Sequence, residues 1–346
     1  MIVRDVTIEQ FAKEVKKANK RIVVYGVGVL GKITVPQLLS DLELIDQVLL
    51  FVDADGKKQG KIICVGDYQI EIYSPNLLDE IKEEFVILIT GSRYEGICSF
   101  LNRKKSLDYI CSYILPEMLV KAARSFPKYK IKKQSAEPLI PKKIHYCWFG
   151  GNAIPEGMQY CINTWKKFCP DYEIIQWDET NYDLSKYTYM LEAYKRQKWA
   201  FASDVARLDI LYQYGGIYMD TDVELIRSLD DLLYQPGFCG VEKWRIVNTG
   251  GGCGVVAGHP MIAHMLKERK KVHFIYEDGT INEESSGTYE SMPLVAEGFR
   301  PNNTVQTVNG MTIYSSDFFH PYDYMSKECC ITENTFGIHR FFGSWV

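Results

Sequence analysis

The 346-residue sequence predicts an α/β protein built from two domains. An apolar strand, a glycine-rich turn and an amphipathic helix follow one another near the amino terminus, and a second series of strands and helices begins at Ile140. A basic, proline-containing segment separates the two series, and a chain of this length can bury two hydrophobic cores. We therefore predict a first domain over residues 1–125, a basic linker over 126–139 and a second domain over 140–346.

The first domain carries the sequence pattern of a dinucleotide-binding fold. The apolar strand Arg21–Tyr25 runs into Gly26, Gly28 and Gly31, an amphipathic helix follows, and Asp53 comes about twenty residues further on. The later stretch YSPNLLDEIKEEFVILITGS predicts another helix followed by another strand. This alternation of strands and helices predicts a small Rossmann-like domain.

The ligand of this first domain stays open at the level of sequence. Lys32 directly follows the last glycine, where a lysine can support a phosphate at a helix N-terminus. A scaffold or docking domain without a cofactor explains the same glycines, with Lys32 as a solvated side chain.

The segment from Trp199 to Glu224 carries the clearest sign of chemistry in the second domain. Asp204 shares one face of a predicted helix with apolar residues, so its carboxylate needs a partner, and Arg207 stands one turn away. The apolar residues on that face are Phe201, Leu208 and Leu211. The pair Gly215 and Gly216 then ends the helix before a strand over residues 217–219.

Asp220 and Asp222 follow that strand directly. Side chains alternate along an extended chain, so both carboxylates should point the same way and repel by about 4 kcal/mol at ~4 Å and a dielectric of ~20. A divalent cation turns this repulsion into attraction, and oxygen ligands favour Mg²⁺ or Mn²⁺. A solvated turn is the ordinary alternative for an isolated Asp-x-Asp pair.

Several stretches in the order of one known family strengthen the metal interpretation. ASDVARLDILYQYGGIYMDTDVEL, together with IPKKIHYCWFGG, DYEIIQW, NTGGGCGVVAGHPMI and NTFGIHRFFGSWV, resembles bacterial glycosyltransferases of the DXD sugar-binding, capsular-polysaccharide type. The similarity to the glucosyltransferase domains of large clostridial toxins is more distant. The resemblance covers residues 140–346, about three-fifths of the chain.

The resemblance implies a GT-A fold, an α/β domain that binds a nucleotide-sugar through a metal on its diphosphate. Asp220 and Asp222 would hold the metal and the ribose region of the donor, and Asp204 would accept hydrogen bonds from hydroxyls of the donor sugar. Arg207 would meet the diphosphate. The ring of Trp148 would stack on the donor base, although a core tryptophan is the alternative.

The resemblance also assigns roles near the carboxyl terminus. His339 would be a third metal ligand, and Ser344 and Trp345 would donate to a phosphate oxygen. Arg340 departs from the family pattern, which has a second histidine there. Asn248 would contact the donor or acceptor sugar. A closing apolar strand is the alternative for His339, and a turn residue is the alternative for Asn248.

The leading hypothesis is a metal-dependent, retaining glycosyltransferase of surface-polysaccharide assembly, with a UDP-hexose as the favoured donor and a glycan or lipid-linked glycan as acceptor. The metal, Arg207 and the tail donors would stabilise the leaving diphosphate. No residue is marked as a covalent nucleophile, so the hypothesis is a front-side displacement. A nicotinamide-dependent oxidoreductase using the GVGVLG loop and a non-catalytic sugar-nucleotide-binding or scaffold protein are the alternatives.

Composition favours a cytoplasmic protein. The net charge of −4 argues against a nucleic-acid partner. The ten cysteines show no CxxC spacing and the sequence shows no signal peptide, so we expect reduced, buried thiols. The apolar runs are far shorter than the ~20 residues of a membrane span. A second hypothesis gives the basic linker a peripheral contact with anionic lipid at the inner face of the membrane. Its lysines, with two just beyond it, are Lys128, Lys130, Lys132, Lys133, Lys142 and Lys143.

Overall fold

A computed structural model describes residues 1–343 as two compact α/β units. The first unit comprises Met1–Arg124 with the short segments Trp244–Ile246 and Arg300–Asn302. The second unit comprises Ser125–Lys243, Val247–Phe299 and the chain from Asn303 onward. The predicted α/β fold class is confirmed by two large, parallel-rich sheets, and the GT-A type of the second domain stays a prediction. The exact domain limits and the tasks given to each domain stay predictions.

The first unit is built on a mainly parallel sheet flanked by helices. In the described residues its strand order is β1-β7-β6-β2-β3-β5-β4, with β4 and β5 paired as an antiparallel hairpin at one edge. The strands are β1 (Ile2–Arg4), β2 (Arg21–Tyr25), β3 (Val48–Val52), β4 (Ile62–Val65), β5 (Tyr68–Tyr73), β6 (Phe85–Ile89) and β7 (Cys111–Ile114). The helices are α1 (Ile8–Ala18), α2 (Val35–Asp41), α3 (Tyr94–Asn102) and α4 (Leu115–Ala122).

Two details of this unit differ from the expectation. The helix after the glycine loop begins with a π-helical turn, Leu30–Thr34, before α2 continues it. The stretch predicted as a helix before β6 forms a short 3-10 turn instead, Pro75–Asp79. That turn buries Pro75 and Leu78, which is too little apolar surface to hold several turns of helix.

The second unit has a mixed sheet with helices packed on it. In the described residues its strand order is β14-β15-β12-β13-β10-β8-β9, and β11 pairs with β16 in a separate two-stranded sheet. The strands are β8 (Lys143–Cys147), β9 (Glu173–Trp177), β10 (Gly216–Tyr218), β11 (Val223–Leu225), β12 (Gly237–Val241), β13 (Val247–Val255), β14 (Gln306–Val308), β15 (Met311–Tyr314) and β16 (Gly337–His339). The helices are α5 (Glu156–Phe168), α6 (Thr188–Lys195), α7 (Trp199–Tyr214), α8 (Pro260–Arg269) and α9 (Ser286–Ala296).

Helix α7 and strand β10 carry the chain to the candidate site. The middle of α7 is buried on nearly all sides, and its apolar residues belong to the main core of the second unit. The helix ends at Gly215, whose φ of 62° suits glycine and where a Cβ would lie 2.7 Å from the Ala257 nitrogen. Strand β10 starts at Gly216, one residue earlier than predicted, and lies between β8 and β13.

The basic segment predicted as a linker packs against the second unit. The Tyr129 amide donates to Asn334 Oδ1 at 2.7 Å, and the Gln134 amide donates to the Tyr234 carbonyl at 2.8 Å. The side chains of Tyr129 and Ile131 pack on an apolar cluster of that unit. The segment is therefore an ordered, extended part of the second unit.

All ten cysteines lie in the described residues as free thiols. Five of them are buried and Cys64 and Cys329 are exposed, so the expectation of uniformly buried thiols is only partly met. Within residues 1–343 no helix combines the length and the apolar character that crossing a bilayer requires.

Candidate functional site

A turn after β10 brings Asp220 and Asp222 together. The Val223 amide donates to the Asp220 carbonyl at 3.0 Å, and the Asp220 amide donates to the Gly250 carbonyl of β13 at 2.8 Å. The sequence argument placed both carboxylates on one side of an extended strand, and that reason is wrong because the chain turns between them. The turn nevertheless brings the two carboxylates together, as the Asp-x-Asp pair predicted.

His339 completes a group that we call the metal triad, Asp220, Asp222 and His339. Strand β16 pairs with β11 so that His339 stands opposite Val223, next to the turn. One candidate ligand atom from each triad residue lies within 4.8 Å of the other two. His339 Nε2 is 3.2 Å from Asp222 Oδ1, and the Phe342 amide donates to Asp222 Oδ2 at 3.0 Å.

The metal triad has the chemistry of a divalent cation site. The two carboxylates suit a hard cation such as Mg²⁺ or Mn²⁺, and the imidazole adds a nitrogen ligand. His339 Nδ1 is buried without a hydrogen-bond partner among the described residues, an uncommon state for a ring nitrogen. The structure thus brings together all three residues predicted to hold the metal.

The ionisation of the metal triad reflects burial and mutual charge. Burial raises the pKa of Asp220, and the Arg207 guanidinium opposes part of that rise. Burial alone would raise the pKa of Asp222, but the His339 charge and the hydrogen bonds that Asp222 accepts lower it overall. Burial alone would lower the pKa of His339, but the Asp222 carboxylate raises it overall. A cation at this site would therefore compete with a proton on His339.

Arg207 is the centre of a second group, the charge cluster, formed with Asp204, Asp220 and Glu290. Its Nη1 lies 2.9 Å from Asp204 Oδ1 and 3.6 Å from Asp220 Oδ2, and its Nη2 donates to Glu290 Oε1 at 2.6 Å. Burial raises the pKa of Asp204 to about 6 despite the Arg207 charge. Three carboxylates thus share one buried guanidinium, and the charge of the buried Arg269 also acts on Asp204.

Sequence reasoning missed Glu290 and underestimated Gly250. Glu290 lies on α9, is buried, and also accepts a hydrogen bond from the Thr249 amide at 2.8 Å. It stands 83 positions from Arg207, and no local motif marks it. A Cβ on Gly250 would lie 2.0 Å from Asp220 Oδ2, so only glycine leaves room for that carboxylate. The run of three glycines in NTGGG was the available signal.

Asn248 lies in strand β13, where the pairing with β12 shifts register, and it contacts the glycines that follow it. Its Oδ1 accepts hydrogen bonds from the amides of Gly250 at 2.8 Å and Gly251 at 3.1 Å. Its Nδ2 donates to Glu242 Oε1 at 2.7 Å. The turn-residue alternative does not hold, because Asn248 lies within a strand, and a contact with donor or acceptor sugar stays a prediction.

Trp148 directly follows β8. Its half-buried ring donates from Nε1 to the Asn152 carbonyl at 2.6 Å, which ties it to the glycine loop that follows. Gly150 has a φ of 93°, and a Cβ there would lie 2.6 Å from Trp199 Cε2. No hydrogen bond or ring contact in the described part of the chain joins Trp148 to the triad, so base stacking stays a prediction.

Of the remaining tail residues, Arg340 lies within the described part of the chain, whereas Ser344 and Trp345 do not. The Arg340 guanidinium pairs with Glu224 through Nε at 2.9 Å, and the Arg340 amide donates to the Asp222 carbonyl at 3.0 Å. Arg340 is therefore engaged by a carboxylate in this structure. Ser344 and Trp345 lie outside the described residues, and their proposed contacts with a phosphate stay predictions.

Asp53 of the first unit directly follows β3 and contacts the glycine loop. Asp53 Oδ2 accepts a hydrogen bond from the Val27 amide at 2.6 Å and lies 3.1 Å from Lys58 Nζ. Asp53 Oδ1 accepts from the Asp55 amide at 2.9 Å. In a dinucleotide-binding domain this acidic residue contacts the ribose, but here both of its oxygens already have partners. The geometry gives no added support to a nicotinamide site.

Part of the second unit matches a protein family. Residues 155–239 match the family described as glycosyltransferase sugar-binding region containing DXD motif. That range includes Asp204, Arg207, Asp220 and Asp222, whereas His339 lies beyond it.

Curated relatives match the chain over similar parts. Inositol phosphoceramide mannosyltransferase 3 of Schizosaccharomyces pombe is 32% identical over 145 residues, which cover 40% of this chain and 39% of that protein. Mannosyl phosphorylinositol ceramide synthase SUR1 of Saccharomyces cerevisiae is 35% identical over 38% of this chain and 35% of that protein. An uncharacterized glycosyltransferase, L373, of Acanthamoeba polyphaga mimivirus is 27% identical over 60% of this chain and 84% of that protein. The chain thus matches less than half the length of these mannosyltransferases.

Among solved structures, PaToxG Glycosyltransferase aligns with 59% of this chain and 80% of its own chain. The sequence identity is 22% and the TM-score is 0.38.

Proposed function

We propose that this chain is a metal-dependent glycosyltransferase that moves a hexose from a nucleotide-sugar to a glycan or lipid-linked glycan acceptor. The observation that supports it most is the metal triad beside the buried Arg207, because the two bring cation ligands and a fixed positive group to one place. The match of residues 155–239 to a DXD sugar-binding family supports the same assignment.

Mn²⁺ or Mg²⁺ bound by Asp220, Asp222 and His339 would neutralise negative charge on the donor diphosphate. Neighbouring protein groups hold the two carboxylates in position. Asp222 is held by the Phe342 amide and by His339, and Asp220 is held by the Tyr218 hydroxyl at 3.1 Å. Carboxylates fixed in this way need little rearrangement when the donor arrives.

Arg207 would stabilise the leaving diphosphate. Its guanidinium is fixed by Glu290 on one side and by Asp204 on the other, so its position is set before substrate binds. A preorganised positive group in a buried site stabilises developing negative charge more strongly than a solvated one. Cleavage of the bond between the anomeric carbon and the phosphate leaves negative charge on the diphosphate. Arg207 would be the main protein group that stabilises this charge.

Asp204 would accept hydrogen bonds from hydroxyls of the donor sugar. Its side chain keeps 15% of its surface exposed, whereas Arg207 keeps 3%, so Asp204 can still be reached from solvent. We propose that the reaction retains the anomeric configuration through a front-side displacement. NMR of the product from an α-linked donor should show an α-linkage, and a β-linkage would overturn this part of the proposal.

The sugar and acceptor rest on weaker support. A hexose is proposed because the yeast relatives are named as mannosyl-transferring enzymes, and a lipid-linked acceptor fits the ceramide in those names. UDP is the favoured nucleotide, and surface-polysaccharide assembly in the cytoplasm is the proposed setting. The basic segment would then give a peripheral contact with the inner face of the membrane.

A turnover assay with Mn²⁺ and a panel of UDP-, GDP- and CMP-sugars tests the proposal. We expect sugar release or transfer from one nucleotide-sugar, lost with chelator and reduced at least 100-fold in Asp204→Ala. Asp67→Asn, on an exposed residue of the first unit, should retain full activity as a control. Turnover that persists in the presence of chelator would overturn the metal dependence, and turnover with a GDP-sugar alone would overturn the choice of UDP.

A further inference from the structure

The basic segment and the loops it packs against enclose a cavity that the transferase proposal does not use. Its volume is about 890 Å³, within the range of roughly 300–1,000 Å³ that is common for small-ligand sites. Tyr129 and Ile131 of the segment line it, together with Phe318 and Phe336. All of these residues belong to the second unit. The cavity therefore offers aromatic and apolar walls at a basic surface.

Arg227 gives the cavity a positively charged group, on which the Asp231 carboxylate acts from beyond ion-pair distance. Its guanidinium carbon lies 3.7 Å from the centre of the Phe336 ring. Its Nε is buried without a hydrogen-bond partner, and no ion pair of Arg227 within 4 Å is formed in residues 1–343. A guanidinium stacked on a ring keeps its donating edge free and fixed, which suits a carboxylate or phosphate.

The other charges around the cavity leave it positive. Lys128 is paired with Glu333 at 2.5 Å, so these two cancel. Lys130 forms no ion pair in the described part of the chain, and Lys133 lies over the Tyr234 ring at 3.7 Å. With Arg227 these two lysines outnumber the remaining lining carboxylate, that of Asp231. The balance favours an anionic ligand.

The β11–β16 pair links this cavity to the metal triad. Asp222 and His339 lie at one end of the paired strands, and Arg227 and Phe336 lie just beyond the other end. At about 3.3 Å per residue, three to five residues correspond to roughly 10–17 Å. A chain of a few sugar units can span that distance.

We propose that this cavity binds an acidic saccharide, with Arg227 receiving its carboxylate or phosphate and Tyr129 contacting the face of a sugar ring. Aromatic rings contact the apolar faces of sugars, and the cationic edge supplies the charge partner. This binding needs neither a metal nor a nucleotide-sugar, so its test is independent of transferase activity.

Isothermal titration calorimetry with wild-type protein, without metal, tests the proposal. The probe is a tetrasaccharide of alternating glucuronic acid and N-acetylglucosamine, and its carboxyl-reduced form is the matched neutral ligand. We expect the acidic tetrasaccharide to bind at least tenfold more tightly than the neutral one and than inorganic phosphate. Absence of binding, equal binding of the neutral form, or equal binding of phosphate alone would overturn the assignment.

Charge variants locate the binding. Arg227→Gln and the double change Lys130→Gln with Lys133→Gln should each weaken the affinity at least tenfold, and the two lysines are exposed enough to leave folding intact. Lys195→Gln with Lys267→Gln removes the same charge from exposed positions elsewhere and should change nothing. Unchanged affinity in the lysine double variant would refute the site. If the wild type binds anionic vesicles but no saccharide, and the lysine double variant loses vesicle binding, the surface would be a membrane contact instead of a saccharide site.

Discussion

Glu290→Gln should destabilise the second unit and disable Arg207, although it changes one atom. Glu290 is 1% exposed, accepts from Arg207 Nη2 at 2.6 Å, and also accepts from the Thr249 amide. Gln keeps the shape but has one carbonyl oxygen for these two donors. If that oxygen accepts from the Thr249 amide, the NH2 group faces Arg207 Nη2, donor against donor, so the change removes both the charge and the hydrogen bond to Arg207. Breaking one partner out of a buried ion pair costs about 3–5 kcal/mol. Because Asp204 and Asp220 still compensate Arg207, we expect the lower end of that range, about 3 kcal/mol.

Urea unfolding followed by tryptophan fluorescence measures this loss. The signal reports mainly the second unit, because most of the described tryptophans lie there, namely Trp148, Trp165, Trp177 and Trp199. Glu283→Gln, an exposed residue just before the same helix, is the matched control and should stay within about 0.5 kcal/mol of wild type. Transferase activity of Glu290→Gln should fall at least tenfold. A loss of stability below about 1 kcal/mol would refute the view that Glu290 fixes Arg207.

Two further predictions concern the same site. Gly250→Ala places a Cβ 2.0 Å from Asp220 Oδ2, so it should lower Mn²⁺-dependent activity more than tenfold. Gly96→Ala, on α3 with open space around it, should not lower this activity. Equal activities of the two variants would contradict the packing argument. Burial raises the pKa of Asp204 to about 6 from 3.8, so the folded state holds this proton more firmly than the unfolded state. The stability that the protonated form contributes should be lost as pH rises through about 6, so the urea midpoint of the wild type should fall between pH 4.5 and 7. Asp204→Asn should make this fall smaller. An equal fall of the urea midpoint in wild type and Asp204→Asn would contradict this prediction.

The central helix and its end could be predicted from local sequence. Periodic apolar residues place α7, and Gly215 ends it, because both features depend on neighbours along the chain. The convergence of Asp220 and Asp222 was predicted correctly for a wrong reason, since hydrogen bonds to Val223 and Gly250 create it rather than strand alternation.

Other parts of the site depend on contacts between distant segments. His339 reaches the turn through the pairing of β16 with β11, and only the resemblance to a family suggested it. Glu290 approaches Arg207 because α9 packs against β13, a contact that no periodicity in the sequence encodes. The packing of Tyr129 turned a predicted linker into part of a cavity wall for the same reason.

Mn²⁺ binding followed by electron paramagnetic resonance tests the central claim most directly, because it needs neither donor nor acceptor. The account predicts that the wild-type protein takes up one Mn²⁺ per chain and that Asp222→Asn weakens this binding at least tenfold, while Asp67→Asn leaves it unchanged. Equal Mn²⁺ binding by wild type and Asp222→Asn would contradict the assignment of Asp220, Asp222 and His339 as a metal site.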